Sequence, residues 1–176
     1  MFTTDDMLRL ADEAFGTVAT AAVATWQDFN TRYFEGRLQP IPIVLTAALP
    51  LGRETAHCDY AFEQDGWRQG RAITSLIGRN RQAGKGDLLH SLIHQHAFEV
   101  LEQDPRHSGE TWRTEIMRLH RIITGQTIWC GPSITVRTTK YRAARINKPD
   151  AAGQPSLSQG EIAAWPAGFI DLGPLV

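Results

Sequence analysis

The sequence predicts a single α+β domain in which helices pack on a small sheet. Apolar residues recur at three- and four-residue steps from Leu8 to Tyr33, the spacing of a helix with one buried face. Three strand candidates follow: short runs rich in β-branched residues at 41–46 and 71–77, and a loosely alternating segment at 54–62 between them. A chain of 176 residues can fill one core, so we assign residues 1–176 to one domain.

The first helical stretch is predicted to begin after Thr3 or Thr4, where a hydroxyl and two following carboxylates can satisfy free amides. It is predicted to end near Glu35 and Gly36, because glycine adopts the left-handed conformation that closes a helix. Gly16 lies inside the stretch, and glycine costs about 1 kcal/mol in a helix interior. The stretch is therefore either one long helix or two consecutive ones.

Two further helices are predicted in the second half of the chain. The first covers residues 88–102 and is expected to be capped by Asp87. The second covers residues 112–123 and is expected to end at Gly125. Residues 149–160 are rich in proline, glycine and serine, a composition typical of a surface loop.

Composition excludes several classes of protein. The formal net charge is −1, so there is no overall attraction to nucleic acid or to a membrane surface. Cys58 and Cys130 lie far apart and form neither a disulfide framework nor a cysteine metal ribbon. No apolar run reaches the roughly 20 residues needed to cross a bilayer, and the N-terminus lacks the pattern of a signal peptide. We therefore expect a cytoplasmic protein with no membrane partner.

The residues that carry chemistry lie in the first of these later helices. His90 and His94 are four residues apart, so both imidazoles lie on one helix face and can reach one ion. The zinc motif HExxH has this spacing, and its glutamate moves a proton to and from the metal-bound water. Ser91 stands at the glutamate position, and a serine hydroxyl is too weak an acid and base for that role.

Three segments resemble the SprT-like family of zinc metallopeptidases, and they occur in the family's order. Residues 29–38 resemble its FN-x-x-YF-x-G-x-L segment, and residues 88–94 resemble its LLHExIH helix. Residues 107–112 are similar to its HG-x-x-[FW] segment, which precedes a further helix. The resemblance covers about residues 20–123 and leaves residues 124–176 as a C-terminal extension.

The resemblance implies a zincin-like domain that binds one zinc through His90, His94 and His107. In that family the motif glutamate activates water for peptide hydrolysis, and the best-known members cut proteins that are crosslinked to or bound on DNA. An extended protein or peptide partner would pair with an edge strand above the HxxxH helix.

The chain departs from the family pattern at three places. Ser91 replaces the general base, a change that typically lowers the rate on the order of 10²–10⁴-fold. The family histidine precedes the aromatic residue by four positions, where this chain has Ser108, and His107 is one position earlier. The extension after residue 123 contains no cysteine zinc ribbon. Proteolysis is therefore expected to be lost or strongly reduced.

One segment of the extension is a candidate for nucleic-acid contact. It holds five basic residues and no acidic one: Arg137, Lys140, Arg142, Arg145 and Lys148. Such residues can neutralise phosphates, which makes DNA a further candidate partner. The alternative is a solvated strand or loop face, which the near-neutral overall charge favours.

Four other titratable residues have ordinary structural explanations. His96 points away from the His90/His94 face, and His120 lies late in the next helix, so both are expected to be structural or exposed. Glu110 and Glu115 could replace the missing base or add a ligand. Their expected role is instead helix capping and solvation near the start of that helix.

Three hypotheses on function remain. The first is a SprT-like zinc-metallopeptidase homologue with defective catalysis, for which enzyme activity is an open question. The second is a metal-stabilised, non-catalytic binding module that engages a protein or a DNA-bound partner. The third is an interaction domain without a metal. Zinc content separates the third from the other two, and a peptidase assay separates the first two.

Overall fold

A computed structural model describes residues 2–46, 56–62, 68–76, 84–103, 109–128 and 172–175. In order along the chain its elements are the helices α1 (Thr4–Phe15) and α2 (Thr17–Phe34), the strands β1 (Ile43–Thr46), β2 (Ala56–Phe62) and β3 (Arg68–Leu76), and the helices α3 (Lys85–Glu99) and α4 (Glu110–Thr124). The described part of the chain is thus a mostly helical α+β structure, as the sequence predicts.

The N-terminal stretch forms two helices rather than one. The hydroxyl of Thr3 accepts the Asp6 N–H, and the Asp6 carboxylate accepts the Thr3 N–H, which satisfies both groups at the start of α1. Gly16 separates the helices with φ 65° and ψ −151°, a conformation that L side chains rarely adopt. Glu35 and Gly36 end α2 with φ values of 57° and 69°, at the predicted place.

The three strands form one sheet in the order β1–β3–β2. β1 runs parallel to β3, with Ile43 opposite Ile73, and β2 runs antiparallel to β3, with Cys58 opposite Ile73. β3 begins at Arg68, three residues before the predicted start, because its polar first residues pair through backbone groups with the end of β2. Within the described residues, β1 and β2 are the outer strands.

The core lies between the sheet and the helices, with α3 at its centre. α3 packs against β2, β3, α2 and α4. Its apolar side contributes fully buried leucine and isoleucine side chains at positions 88, 89, 92 and 93. The neighbouring elements contribute further fully buried large side chains: Trp26, Phe34, Ile73, Trp112 and Ile116. The HxxxH helix is therefore the most enclosed helix of the described structure, and its position is fixed from several sides.

The starts of α3 and α4 differ from the predicted ones. α3 begins three residues early, after Gly84, and Asp87 is not the cap residue. The Asp87 carboxylate instead accepts the Gly84 N–H at 2.8 Å from inside the first turn. α4 begins after Gly109 and ends at Gly125, whose φ of 72° closes the helix as predicted.

A short C-terminal segment holds the start of α3. The Lys85 N–H donates to the Gly173 carbonyl at 3.1 Å, and Pro174 forms a bridge with Gly84. Leu175 is buried against the core, with 2% of its surface exposed. Residues 172–175 therefore form a clip across the beginning of the HxxxH helix. None of the described helices has the length and apolar content needed to cross a membrane.

Candidate functional site

His90 and His94 face each other on α3, as their four-residue spacing predicts. The two Nε2 atoms are 3.1 Å apart, and the ring centroids are 4.9 Å apart. Both side chains are half-buried, so the pair lies at the surface of the core rather than inside it. The two imidazoles therefore present their outer nitrogens to the same small volume.

Trp112 of α4 forms a wall beside this pair. Its ring centroid lies 4.9 Å from that of His90 and 4.3 Å from that of His94, with which it stacks at an angle of 26°. Trp112 itself is fully buried. Because one rigid side chain contacts both imidazoles, it restricts the orientations that either ring can adopt.

The separation of the two nitrogens suits a shared metal ion. Two ligands at the usual zinc–nitrogen distance on a tetrahedral ion are about 3.3 Å apart, close to the 3.1 Å found here. The same distance also suits a hydrogen bond in which one imidazole donates to the other. Both interpretations use the same face of α3, and metal analysis separates them.

Ser91, which stands where the HExxH motif has glutamate, is buried. It is 1% exposed, and its hydroxyl donates to the Asp87 carbonyl one turn earlier at 3.2 Å. A hydroxyl bonded in this way satisfies its own helix backbone. This geometry favours the interpretation that residue 91 takes no part in proton transfer.

The third proposed ligand, His107, lies outside the described residues, as do all five basic residues from Arg137 to Lys148 and the predicted loop 149–160. Among the residues that the structure describes, no set of three histidine, cysteine, aspartate or glutamate side chains could hold a metal. His107 precedes Gly109, the cap residue of α4, by two positions. The role of His107 as a zinc ligand therefore stays a prediction from the resemblance.

Sequence reasoning missed a buried ionic cluster next to the site. Glu115 of α4 is 4% exposed, and one of its carboxylate oxygens lies 3.0 Å from Nδ1 of His96. Arg118 donates to the same carboxylate from Nε at 3.2 Å and from Nη2 at 2.8 Å. The expectation that Glu115 is solvated is therefore wrong, whereas Glu110 is exposed in the first turn of α4.

The electrostatics of Glu115 follow from its neighbours. Burial alone raises the pKa of the carboxyl, because the charged form loses hydration. The contacts with His96 and Arg118 outweigh this effect and lower the pKa of Glu115 to about 2. The carboxylate is therefore charged under all ordinary conditions.

Arg118 extends the cluster to a third helix. Its Nη1 donates to the Tyr33 carbonyl at 2.8 Å, near the end of α2, and its guanidinium lies 5.6 Å from the centroid of the Phe34 ring. That ring also contacts His96, with 5.1 Å between centroids. We call Phe34, His96, Glu115 and Arg118 the three-helix joint, because they connect α2, α3 and α4.

The sequence contains a signal for this joint. The buried positions of α4 recur at three- and four-residue steps: Trp112, Glu115, Ile116 and Leu119. A carboxylate on an apolar stripe must be paired, because an unpaired buried charge is very unfavourable. The stripe does not identify the partner on another helix, and His96 is buried beside it, in agreement with a structural role.

A second polar network attaches the segment after α2 to α3. The Trp26 indole N–H donates to the Gln95 side-chain oxygen at 3.2 Å, and the Gln95 amide donates to the Gln39 carbonyl at 2.7 Å. The Glu99 carboxylate accepts the Gln39 N–H at 3.2 Å. At the far end of α4, His120 lies 2.9 Å from the Gln126 carbonyl through Nδ1 and is structural. These contacts stabilise the fold around the site.

No family model, curated protein or solved structure matches this chain.

Proposed function

We propose that this chain is a zinc-binding homologue of the SprT-like metallopeptidases, with a zincin-like fold and with proteolysis lost or strongly reduced. The observation that carries the proposal is the pair of imidazole nitrogens of His90 and His94, 3.1 Å apart beside Trp112. Two imidazoles on one helix face, at a spacing close to that of two zinc ligands, are the chemically informative part of the site.

The arrangement of elements supports this proposal. The motif-bearing segments fall on successive parts of the fold, at the end of α2, on α3 and at the start of α4. Between the first two lie three strands, of which β2 and β3 pack on the HxxxH helix. A helix, a small sheet, an HxxxH helix and a further helix, in that order, are what the resemblance implies.

The residues proposed to hold zinc are His90, His94 and His107, with water in a fourth position. A zinc bound in this way polarises a carbonyl and acidifies its water. The chain's own residues would hold the ligands in place. Trp112 orients the two described imidazoles by stacking on His94 and by a tilted contact with His90, and the three-helix joint behind it keeps α4 in place.

Metal content tests the proposal directly. Elemental analysis after mild dialysis is expected to give about one zinc per chain. H90A, H94A and H107A should each weaken zinc binding strongly, because each removes a ligand. H120A is the matched control, since His120 binds the backbone at the far end of α4. Zinc below about a tenth of an equivalent in the unmodified protein would leave the metal-free interaction domain as the explanation.

A second candidate function is a non-catalytic binding module, and the geometry of Ser91 favours it. The hydroxyl is bonded to the Asp87 carbonyl, and the position is almost fully buried. A partner protein or peptide could pair with an outer strand of the sheet through backbone groups. Contact of the Arg137–Lys148 segment with DNA is a further part of this proposal.

A single substitution separates weak catalysis from pure binding. S91E restores the HExxH motif, and where zinc is bound it should raise zinc-dependent cleavage of casein on the order of 10²–10⁴-fold above the unmodified protein. S91Q is the matched control, because glutamine has the same length but cannot act as a base. Thermal unfolding of both variants checks that the buried position accepts the longer side chain.

Two results would contradict the stated role of Ser91. Robust zinc-dependent cleavage by the unmodified protein would mean that another residue acts as the base. No gain in S91E, with zinc bound and the fold intact, would mean that the site has diverged beyond residue 91 and serves binding alone.

A further inference from the structure

We propose that Glu115 is a positioning residue for the His90–His94 pair and acts on it through Trp112. The inference concerns the geometry of the imidazoles. It relies on the proposed function only in assigning zinc to that geometry.

Glu115 and Trp112 both lie on the buried face of α4. They are three residues apart, so they lie on the same helix face about one turn from each other. Trp112 contacts His90 and His94, and Glu115 contacts His96 on the same partner helix. α4 is therefore fixed against α3 at two neighbouring points, one aromatic and one polar.

Arg118 connects this part of α4 to the end of α2. Arg118 donates to the Glu115 carboxylate through two of its nitrogens and to the Tyr33 carbonyl through a third. The carboxylate thus fixes the guanidinium that joins α4 to the end of α2. When Glu115 is removed, the polar contact to His96 and the carboxylate that anchors Arg118 are lost together.

The polar contacts of the three-helix joint are directional. Ile116 and Leu119 also hold α4 on the core, but apolar packing tolerates small rotations and shifts more readily than polar contacts of fixed geometry. Trp112 stacks on His94 at 4.3 Å, so a small rotation of α4 changes this contact first. Loss of the joint should therefore alter the histidine pair more than an equally destabilising apolar truncation does.

The experiment compares four variants of the full chain in the metal-free state by NMR. The imidazole C–H resonances of His90 and His94 lie within the ring-current field of Trp112 and report its position. E115A removes the joint, and E115Q keeps the side-chain length and one acceptor oxygen. L119A is the control for lost packing on the same helix, and E110A is the control for a lost carboxylate at an exposed position.

We expect E115A to shift both histidine resonances well beyond the shifts in L119A and E110A. E115Q should give a smaller shift in the same direction, because it restores part of the contact with Arg118. With zinc, E115A should bind on the order of 10–100-fold more weakly, as is typical when a residue that supports ligands is lost. E110A should bind zinc as the unmodified protein does.

The outcomes separate this inference from the proposed function. If L119A shifts the histidine resonances as far as the Glu115 variants do, or if E115Q and E115A leave them unchanged, the inference is wrong. If E115A does not fold, the comparison of E115Q with E110A and L119A decides whether Glu115 positions the histidine pair. If the unmodified protein binds no zinc, the proposed function fails, and the resonances of the metal-free protein still test the role of Glu115.

Discussion

At the end of α2, the side chain of Asn30 pairs with both backbone polar groups of Leu38. Its amide donates to the Leu38 carbonyl at 3.2 Å, and its oxygen accepts the Leu38 N–H at 3.1 Å. Asn30 is 8% exposed, so these bonds replace water that the buried groups cannot reach. Residues 29–38 therefore have a structural role, because the Asn30 side chain ties the segment after α2 back to that helix.

The lowered pKa of Glu115 makes the stability of the protein depend on pH in the acid range. The folded-state pKa of about 2 lies below the ordinary value of 4.5. A lowered pKa stabilises the fold fully above pH 4.5, and this contribution is lost as the pH falls toward 2. We expect up to about 3 kcal/mol of unfolding free energy to be lost over this range in the unmodified protein but not in E115Q.

Urea unfolding at several pH values between 6 and 2.5 measures this difference. The stability difference between the unmodified protein and E115Q should be large at pH 6 and should narrow steadily below pH 4.5. E110Q is the control for a lost carboxylate on the same helix. A difference independent of pH would mean that His96 and Arg118 do not hold the Glu115 carboxylate as described.

For individual residues, the spacing along one helix determined which side-chain contacts could be predicted from the sequence. The approach of His90 and His94 follows from a four-residue separation on one helix. The contact of Trp112 with both rings and the pairing of Glu115 with His96 join residues about twenty positions apart. No periodicity within one helix specifies which face of the next helix it meets, so these contacts required the structure.

Among the elements, the junction of α1 and α2 depends most on one residue type. Gly16 has φ 65° and ψ −151°, a region that is essentially restricted to glycine, whereas Gly125 has φ 72° and ψ 1°, which other residues can adopt at a cost. A Cβ at either position meets nothing within 4 Å, so backbone strain alone separates the two sites.

We therefore expect G16A to destabilise the protein by about 2–3 kcal/mol and G125A by about 1 kcal/mol. Chemical unfolding of the two variants, each with unchanged helical content by circular dichroism, gives the comparison. Equal costs, or a stable G16A, would show that α1 and α2 can join in another conformation.

The existence of the elements was predictable, but their boundaries were less so. The apolar stripes predicted the helices, because burial of one face requires that spacing. The start of α3 was missed by three residues, because Asp87 can act as a cap or from within the first turn, and the sequence does not separate these two placements. β3 was predicted too short, because its polar start is held by backbone pairing with β2.

For the molecule as a whole, the clip at residues 172–175 joins the distant C-terminal part of the chain to the HxxxH helix. We expect L175A to lower stability by about 2–5 kcal/mol, because it leaves a cavity where a leucine is 2% exposed. Hydrogen exchange should also become faster at the Lys85 amide, which donates to Gly173.

L172A is the matched control, because Leu172 is only partly buried. It should destabilise the protein less and leave the Lys85 amide protected. If L175A exchanges at Lys85 as slowly as the unmodified protein does, the clip does not hold the start of α3.

The order of the strands has a consequence for the time course of folding. β2 and β3 pair residues as close in sequence as Phe62 and Arg68, whereas β1 pairs Ile43 with Ile73 across the intervening chain. Because closing a longer loop costs more chain entropy, the hairpin of β2 and β3 should assemble first and β1 should add later. Substitutions in β1 should therefore mainly raise the unfolding rate, while those in the hairpin should slow the folding rate.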